Sequence, residues 1–264
     1  MAKYLPTLLS IGLFLARAQA APASGSTNGL GRRVANTVPL GFIIEHCTVP
    51  GVVALTFDDG PYIYTSHVLD LLDQYNASAT FFVNGDNMAH NLVDTSTPWP
   101  EILRRMVRSG HQVGSHTMSH VDLTAASSAI RQTEVRELEY ALGHILGIVP
   151  TYLRPPYGSC SPDCLREVEQ MGYHVVNFDL DTKDYLHNAP GAIQTAMNTF
   201  AAALDTGSPL SSSFLVLSHD TLQYTTEALV PFMLEKIRER GYRTVTVGEC
   251  LGDAAANWYR PPAV

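Results

Sequence analysis

The segment Thr56-Phe57-Asp58-Asp59-Gly60-Pro61 sets two adjacent carboxylates at the end of an apolar run, Val52 to Leu55. Adjacent acids repel each other, so a chain keeps them at a strand end most readily where a cation or a reaction uses them. A solvated Asp-Asp-Gly turn is the plain alternative, and Gly60-Pro61 stops the strand in either case. Downstream, Ser115-His116-Thr117-Met118-Ser119-His120 places two imidazoles four residues apart. On a helical turn they would share one face, with Cβ atoms about 5–6 Å apart, close enough to chelate one ion. Two histidines and a carboxylate form a common catalytic zinc shell that leaves room for water and substrate. Position 117 is Thr rather than Glu, so the zincin helix pattern is absent and the base must come from elsewhere. Of Asp58 and Asp59, one can ligate while the other takes a proton from water.

Two further motifs supply the other roles. Arg154 precedes Pro155-Pro156-Tyr157-Gly158. Burying that guanidinium at a strand end requires an anionic partner, and one of the two aspartates is the obvious candidate. The prolines stiffen the turn, which can aim the Tyr157 backbone N–H at a developing oxyanion. Read alone, the same motif is also a stiff loop with a surface Arg. His219 follows an apolar strand; a neutral core imidazole is the usual fate of such a residue, but a carboxylate such as Asp184 could hold it protonated as a general acid. The histidines at 46, 67, 90, 111, 144, 174 and 187 lack comparable partners and read as surface or packing residues.

These groups need elements to hold them. Strand candidates run Val52 to Phe57, Ala79 to Asn84, Gln112 to Ser115, Tyr152 to Arg154, His174 to Phe178, Phe214 to Ser218 and Arg243 to Val247. Helix candidates lie between them: Ser66 to Tyr75, Pro100 to Ser109, Ser127 to Leu146, Pro162 to Met171, Ala192 to Leu204 and Thr225 to Glu239. The apolar spacing of Ile130, Val135, Leu138, Leu142 and Ile145 is the clearest amphipathic pattern. Alternation of this kind predicts a parallel sheet with crossover helices. The expected fold is a single α/β domain, a distorted (β/α) barrel of seven to eight strands, with an open doubly wound sheet as the alternative. Asp58-Asp59, His116 with His120, Arg154, the acids at 179, 181 and 184, and His219-Asp220 all follow strands. That is the face where such barrels build active sites.

The first twenty residues read as a secretory signal: Lys3, an apolar run from Leu5 to Ala16, and Ala18-Gln19-Ala20 at the cleavage position. Residues 21–40 have the composition of an unstructured segment, with Arg32-Arg33 inside it as a dibasic pair. The domain is expected over 41–252, with 253–264 as a C-terminal tail. A net charge of -8 without a basic stripe argues against nucleic acid and anionic surfaces. No run reaches the roughly 18 apolar residues of a membrane span. A secreted, extracellular monomer is expected. Four cysteines in an exported chain suggest two disulfides, with three pairings possible. Cys160 and Cys164 flank a short turn, while Cys47 and Cys250 flank the first and last strands, so the preferred pairing is Cys47–Cys250 with Cys160–Cys164. Asn76-Ala77-Ser78 is an N-glycosylation sequon.

With those residues in hand, the chain resembles the polysaccharide deacetylase family (NodB homology, carbohydrate esterase family 4) over roughly Val52 to Val247. Five motifs carry the resemblance in order: Thr56 to Pro61, Ser115 to His120, Arg154 to Gly158, Asp181-Thr182-Lys183-Asp184-Tyr185, and Leu215-Val216-Leu217-Ser218-His219. The resemblance implies a distorted barrel and one divalent metal, zinc or cobalt, bound by Asp59, His116 and His120. It implies Asp58 as general base, oriented by Arg154, and His219 as general acid, tuned by Asp184. The Tyr157 amide would hold the oxyanion, and Leu217 with Tyr185 would line the acetyl pocket. The family usually has Trp where this chain has Tyr185, which alters the pocket's shape. Similarity to fungal chitin deacetylases implies chitin or its oligomers as substrate. Acetylxylan or peptidoglycan could be processed by the same site. A non-catalytic sugar-binding protein would be expected to lose Asp58 or His219, and both are present. A Ser-His hydrolase using Ser115 lacks a nucleophile elbow.

Overall fold

The computed structural model describes residues 38–87 and 90–262. The expected signal, Arg32-Arg33 and most of the segment 21–40 lie outside the described residues. The last residues of that segment belong to the fold: Val38 is buried, and the Pro39 carbonyl accepts from His174 Nδ1 at 2.9 Å.

Nine strands form one sheet. In chain order they are β1 (Ile43–Ile44), β2 (Val52–Asp58), β3 (Thr80–Val83), β4 (Gln112–Ser115), β5 (Tyr152–Leu153), β6 (His174–Val176), β7 (Leu180–Asp181), β8 (Phe214–His219) and β9 (Arg243–Val245). The spatial order is β1-β6-β5-β4-β3-β2-β8-β7, and every neighbouring pair is parallel. One edge of β2 is shared: β9 pairs with its first half and β3 with its second. The helices are α1 (Thr65–Tyr75), α2 (Trp99–Arg108), α3 (Ser128–Leu146), α4 (Pro162–Gln170), α5 (Ile193–Thr206), α6 (Val230–Arg240) and the short α7 (Val247–Cys250). The expected distorted barrel is the fold observed.

Strands β1 and β7 end the strand order, and they do not pair with each other. Residues 177–179 cross the gap instead. The Asn177 N–H donates to Ile44 O on one side, while the Asp179 N–H donates to Leu215 O on the other. The Asp179 carboxylate accepts from the Leu215 N–H at 2.7 Å and lies 3.0 Å from His46 Nδ1. Asp179 therefore fastens the seam of the barrel rather than serving its mouth.

Strand parity decides what faces inward, since successive side chains point to opposite faces. Val53, Leu55 and Phe57 pack among the helices with Phe81, Val83, Val113 and Val216. Val52, Ala54, Phe82, Tyr152 and Leu215 form a second cluster inside the barrel. Counting on in steps of two carries Asp58, Asn84, His116, Arg154 and His219 to the inner face, just past the strands' C-terminal ends. Each buried leucine or phenylalanine in these clusters contributes about 1.5–3 kcal/mol.

Three elements differ from expectation for identifiable reasons. The last strand stops at Val245 because Thr246 caps α7 through a reciprocal box with Glu249. The helix expected from Thr225 begins as a π-helical turn, Thr225–Leu229, because Pro231 lacks the N–H that α-helical bonding needs. Residues 253–262, expected as a tail, pack onto the domain: Asp253 and Trp258 are buried, and Tyr259–Arg260 pairs antiparallel with Val149–Pro150. Disulfides join Cys47 to Cys250 and Cys160 to Cys164. Among the described residues, no helix is long and apolar enough to cross a membrane.

Candidate active site

A single hollow of about 400 Å³ is lined by Asp58, Asp59, His116, His120, Arg154, Tyr157, Tyr185, Leu217 and His219. Asp184 lies behind His219, fully buried. Every residue singled out from the sequence for the site is therefore in it or directly behind it. Phe178, from the seam, also lines the hollow and was not foreseen. A larger hollow of about 520 Å³ beside α3, lined by Arg136, Tyr140 and Arg260 among others, holds no comparable set.

Asp58 ends β2 almost wholly buried, and its Oδ1 accepts from Arg154 Nη1 at 2.9 Å. Arg154 is itself held by the carbonyls of Val176 (3.3 Å) and Asn177 (2.7 Å), and the Thr56 hydroxyl accepts from it as well. Its planar group lies 4.3 Å from the Phe82 ring centroid. Burial works against the charged guanidinium, and Asp58 works for it. Asp58 is thus fixed through one oxygen while the other faces the His116 Nε2, 3.8 Å away.

Asp59 turns away in a left-handed conformation, φ 73°, which carries its carboxylate toward the two imidazoles. Its Oδ1 lies 3.5 Å from His116 Nε2 and 3.3 Å from His120 Nε2. That oxygen is buried and has no hydrogen-bond partner. An orphaned buried carboxylate oxygen is expensive unless something cationic meets it. His116 donates from Nδ1 to the Arg154 carbonyl at 2.7 Å, leaving Nε2 as the lone-pair nitrogen. Burial first, and the nearby His116 second, push the His120 pKa down, which keeps it neutral. The three ligand atoms lie within 4.8 Å of one another. Tetrahedral ligands about 2.0–2.1 Å from a zinc ion stand roughly 3.3 Å apart, so these residues fit a divalent metal.

The loop that carries His116 and His120 is not the helical turn expected from their spacing. Thr117 and His120 both have positive φ, 69° and 59°. The loop is gripped from α3 by Glu134, whose carboxylate accepts from the Ser119 N–H (2.7 Å) and hydroxyl (2.6 Å). Ser115 is buried, and its Oγ accepts from the Thr117 N–H at 3.4 Å.

On the opposite wall, His219 Nδ1 contacts Asp184 Oδ1 at 2.8 Å, which leaves Nε2 for the hollow. Asp184 also accepts from the His219 N–H, the Tyr185 N–H and the Thr225 hydroxyl. Burial alone would lower the His219 pKa. The hydrogen bond and charge of Asp184, aided by Asp58 and Asp59, outweigh it and push the value up to about 9. Tyr185 leans edge-on against His219, ring centroids 5.5 Å apart, with its hydroxyl donating to Asp181 at 3.0 Å. Tyr157, with φ 59°, sets its exposed ring against His120 at 4.8 Å. Beneath the Asp59-Gly60 turn, Asp220 is fully buried; burial pushes its carboxyl up to about 7, against the hydrogen bond from Thr65. A Cβ on Gly60 would stand 2.4–2.5 Å from both Asp220 oxygens.

Thr225 and Glu134 were not found from the sequence because their partners are distant along the chain. A shell of two imidazoles and a carboxylate, an arginine-held aspartate and an aspartate-held histidine, grouped at the C-terminal mouth of a distorted barrel, is a set of groups suited to metal-assisted hydrolysis. Residues 45–176 match the polysaccharide deacetylase family, and the chain belongs to that family. It is 45% identical over 252 residues to the chitin deacetylase of Colletotrichum lindemuthianum, covering 94% of this chain and 98% of that one. A chitin deacetylase of Pestalotiopsis sp is also 45% identical, over 85% of this chain and 72% of its own. The solved structure of the Colletotrichum enzyme superposes with a TM-score of 0.80 at 44% identity, covering 84% of this chain and 97% of that one.

Proposed function

We propose that this chain is a secreted, metal-dependent hydrolase that removes N-acetyl groups from the N-acetylglucosamine units of chitin or its oligomers, releasing acetate. The observation that carries this reading is the convergence of two ion pairs, Arg154–Asp58 and Asp184–His219, on the hollow that also holds the Asp59, His116 and His120 cluster. A divalent ion held by those three residues, zinc or cobalt, would polarise the acetyl carbonyl and acidify water when bound.

The chain's own residues supply the proton transfers and the positioning. Asp58, anchored through Oδ1, takes a proton from the attacking water with Oδ2. The Tyr157 N–H, presented by the stiff turn after Arg154, donates to the oxygen that gains charge. His219 carries its proton on Nε2 to the amine nitrogen as the carbon–nitrogen bond breaks, and Asp184 steadies the imidazolium. Leu217 and Tyr185 border the space for the acetyl methyl group, and exposed Tyr157 offers a face for the sugar. Asn76 is exposed at the end of α1, where a glycan could be attached.

The test is acetate release from chitin oligomers, before and after a chelator, with zinc or cobalt added back. Loss and return of release supports the whole reading. Intact metal binding without release moves the substrate to acetylxylan or a peptidoglycan glycan, which the same panel should include.

A further inference from the structure

We propose that Asn84 is the positioning residue that sets the spacing of the metal ligands, by tying together the two loops that carry them. The inference rests on the reading of Asp59, His116 and His120 as a metal set.

Asn84 is the first residue after β3 and is only 2% exposed. The strand ladder that aligns β2, β3 and β4 ends at Phe82 opposite Asp58 and Val83 opposite Ser115. The ligands lie just beyond that point, where regular pairing no longer fixes them. Asn84 bridges the gap in both directions. Its backbone N–H donates to the carbonyl of Gly60, the residue after Asp59, at 3.1 Å. Its side-chain Nδ2 donates to the carbonyls of His116 (2.5 Å) and Thr117 (3.1 Å). One residue thus holds the turn bearing Asp59 and the loop bearing both histidines.

The loop needs such a hold. Thr117 is β-branched and sits at φ 69°, a region that residues with a branched Cβ enter only under constraint. Its carbonyl receives the Asn84 amide and the Gly85 N–H (3.3 Å), and the next carbonyl, of Met118, receives the Asp86 N–H at 2.7 Å. A Cβ on Gly85 would fall 2.1 Å from Met118 Sδ, so a side chain there would displace the methionine. The segment from 84 to 86 is therefore moulded to the histidine loop, and Asn84 is the member that also reaches the Asp59 turn. Without its amide, the His116 carbonyl loses its donor, the Thr117 carbonyl keeps only the Gly85 N–H, and the separations of 3.3 and 3.5 Å from Asp59 are no longer imposed.

The experiment is a zinc titration of the full chain and its Asn84→Ala and Asn84→Ser variants, against a competing chelator. The visible spectrum of each cobalt-loaded protein is recorded alongside. Folding is checked by circular dichroism at a temperature well below each Tm. The expected result is zinc affinity weakened about 10–100-fold in folded variants, with a changed cobalt spectrum. Folded variants that bind zinc within twofold of the wild type, with an unaltered spectrum, overturn the inference alone. Failure of both variants to fold also overturns it, because Asn84 is then a folding residue. A wild-type chain that takes up neither ion overturns the metal reading and this inference with it.

Discussion

Asp58 and His219 are direct partners in the register of β2 and β8, so the base and the acid of the proposed reaction leave two paired strands at the same level. Paired residues of parallel strands present their side chains to the same face, and here that face is the barrel interior. The two groups are thereby set side by side at the mouth of the barrel without any loop having to place them. Arg154 then fixes one and Asp184 the other, through separate contacts.

Asp58 is held by Arg154 while Asp59 turns to the two imidazoles, which implies separable functions for the adjacent acids. Asp58→Asn should lower kcat by about 10²-fold or more while the metal content stays at the wild-type level. Asp59→Asn should lose the metal as well as the activity. Elemental analysis beside acetate release checks both. Loss of metal from the first variant would mean that the roles of the two aspartates are exchanged.

In the proposed reaction the His219 proton should set the alkaline limit. The folded-state value near 9 lies above the ordinary 6.5, so the imidazolium persists up to about pH 9 and activity falls as pH rises through it. The same group stabilises the fold fully below about 6.5, and that share is lost between about 6.5 and 9. In Asp184→Asn the supporting charge is gone, and the alkaline limb should move down by more than about one pH unit. A pH–kcat profile for the two proteins decides this. An unmoved limb would assign the alkaline titration to another group.

Removing Arg154 should damage the fold as well as the reaction. Arg154→Met leaves the buried Asp58 carboxylate without its partner, which costs about 3–5 kcal/mol. At this chain length that is a fall in Tm on the order of 10 °C. Arg154→Lys should not restore it, because a single ammonium cannot meet Asp58, Val176 O and Asn177 O together. Thermal melts at neutral pH are the check.

The two disulfides should differ in weight. Cys47–Cys250 spans a sequence separation of 203 and Cys160–Cys164 a separation of 4. Replacing the first pair by serine should cost about 2–5 kcal/mol, and replacing the second clearly less, since the unfolded chain gains little freedom from so short a loop. Denaturant titrations of the two double variants, compared at the same pH, measure the difference.

Much of this site was legible in the sequence because its chemistry is local. Asp58-Asp59, the histidine pair, Arg154 and His219 each sit in a short motif at a strand end, and alternation of apolar residues locates those ends. That Arg154 meets one of the two aspartates followed from the difficulty of burying a lone guanidinium, and the family resemblance pointed to Asp58. What could not be read was the conformation of the loops. Four-residue spacing suggested a helical turn for His116 and His120, whereas left-handed Thr117 and His120 make a loop held by Glu134 and Asn84. Those bonds join residues 15 to 33 positions apart, beyond any local pattern. Two signals were nevertheless present. Asn84 shares the strand parity of Phe82, and Thr246-Val247-Gly248-Glu249 is a capping box that ends the last strand early. The strands β1 and β7 have two residues each, too short for periodicity to reveal.

The contact between Gly60 and Asp220 carries a consequence for how this chain can change. A side chain at 60 and a carboxylate at 220 would occupy the same space. Neither position can drift without regard to the other, although 160 residues separate them. Any larger residue at 60 is tolerable only in a background where 220 has already become smaller. The route matters as much as the destination: the order Asp220→Ala then Gly60→Ala stays open, while the reverse passes through an intermediate with no room for its own atoms. The turn that bears Asp59 is thus sterically coupled to the strand end that bears His219, so a change of size at one constrains the other.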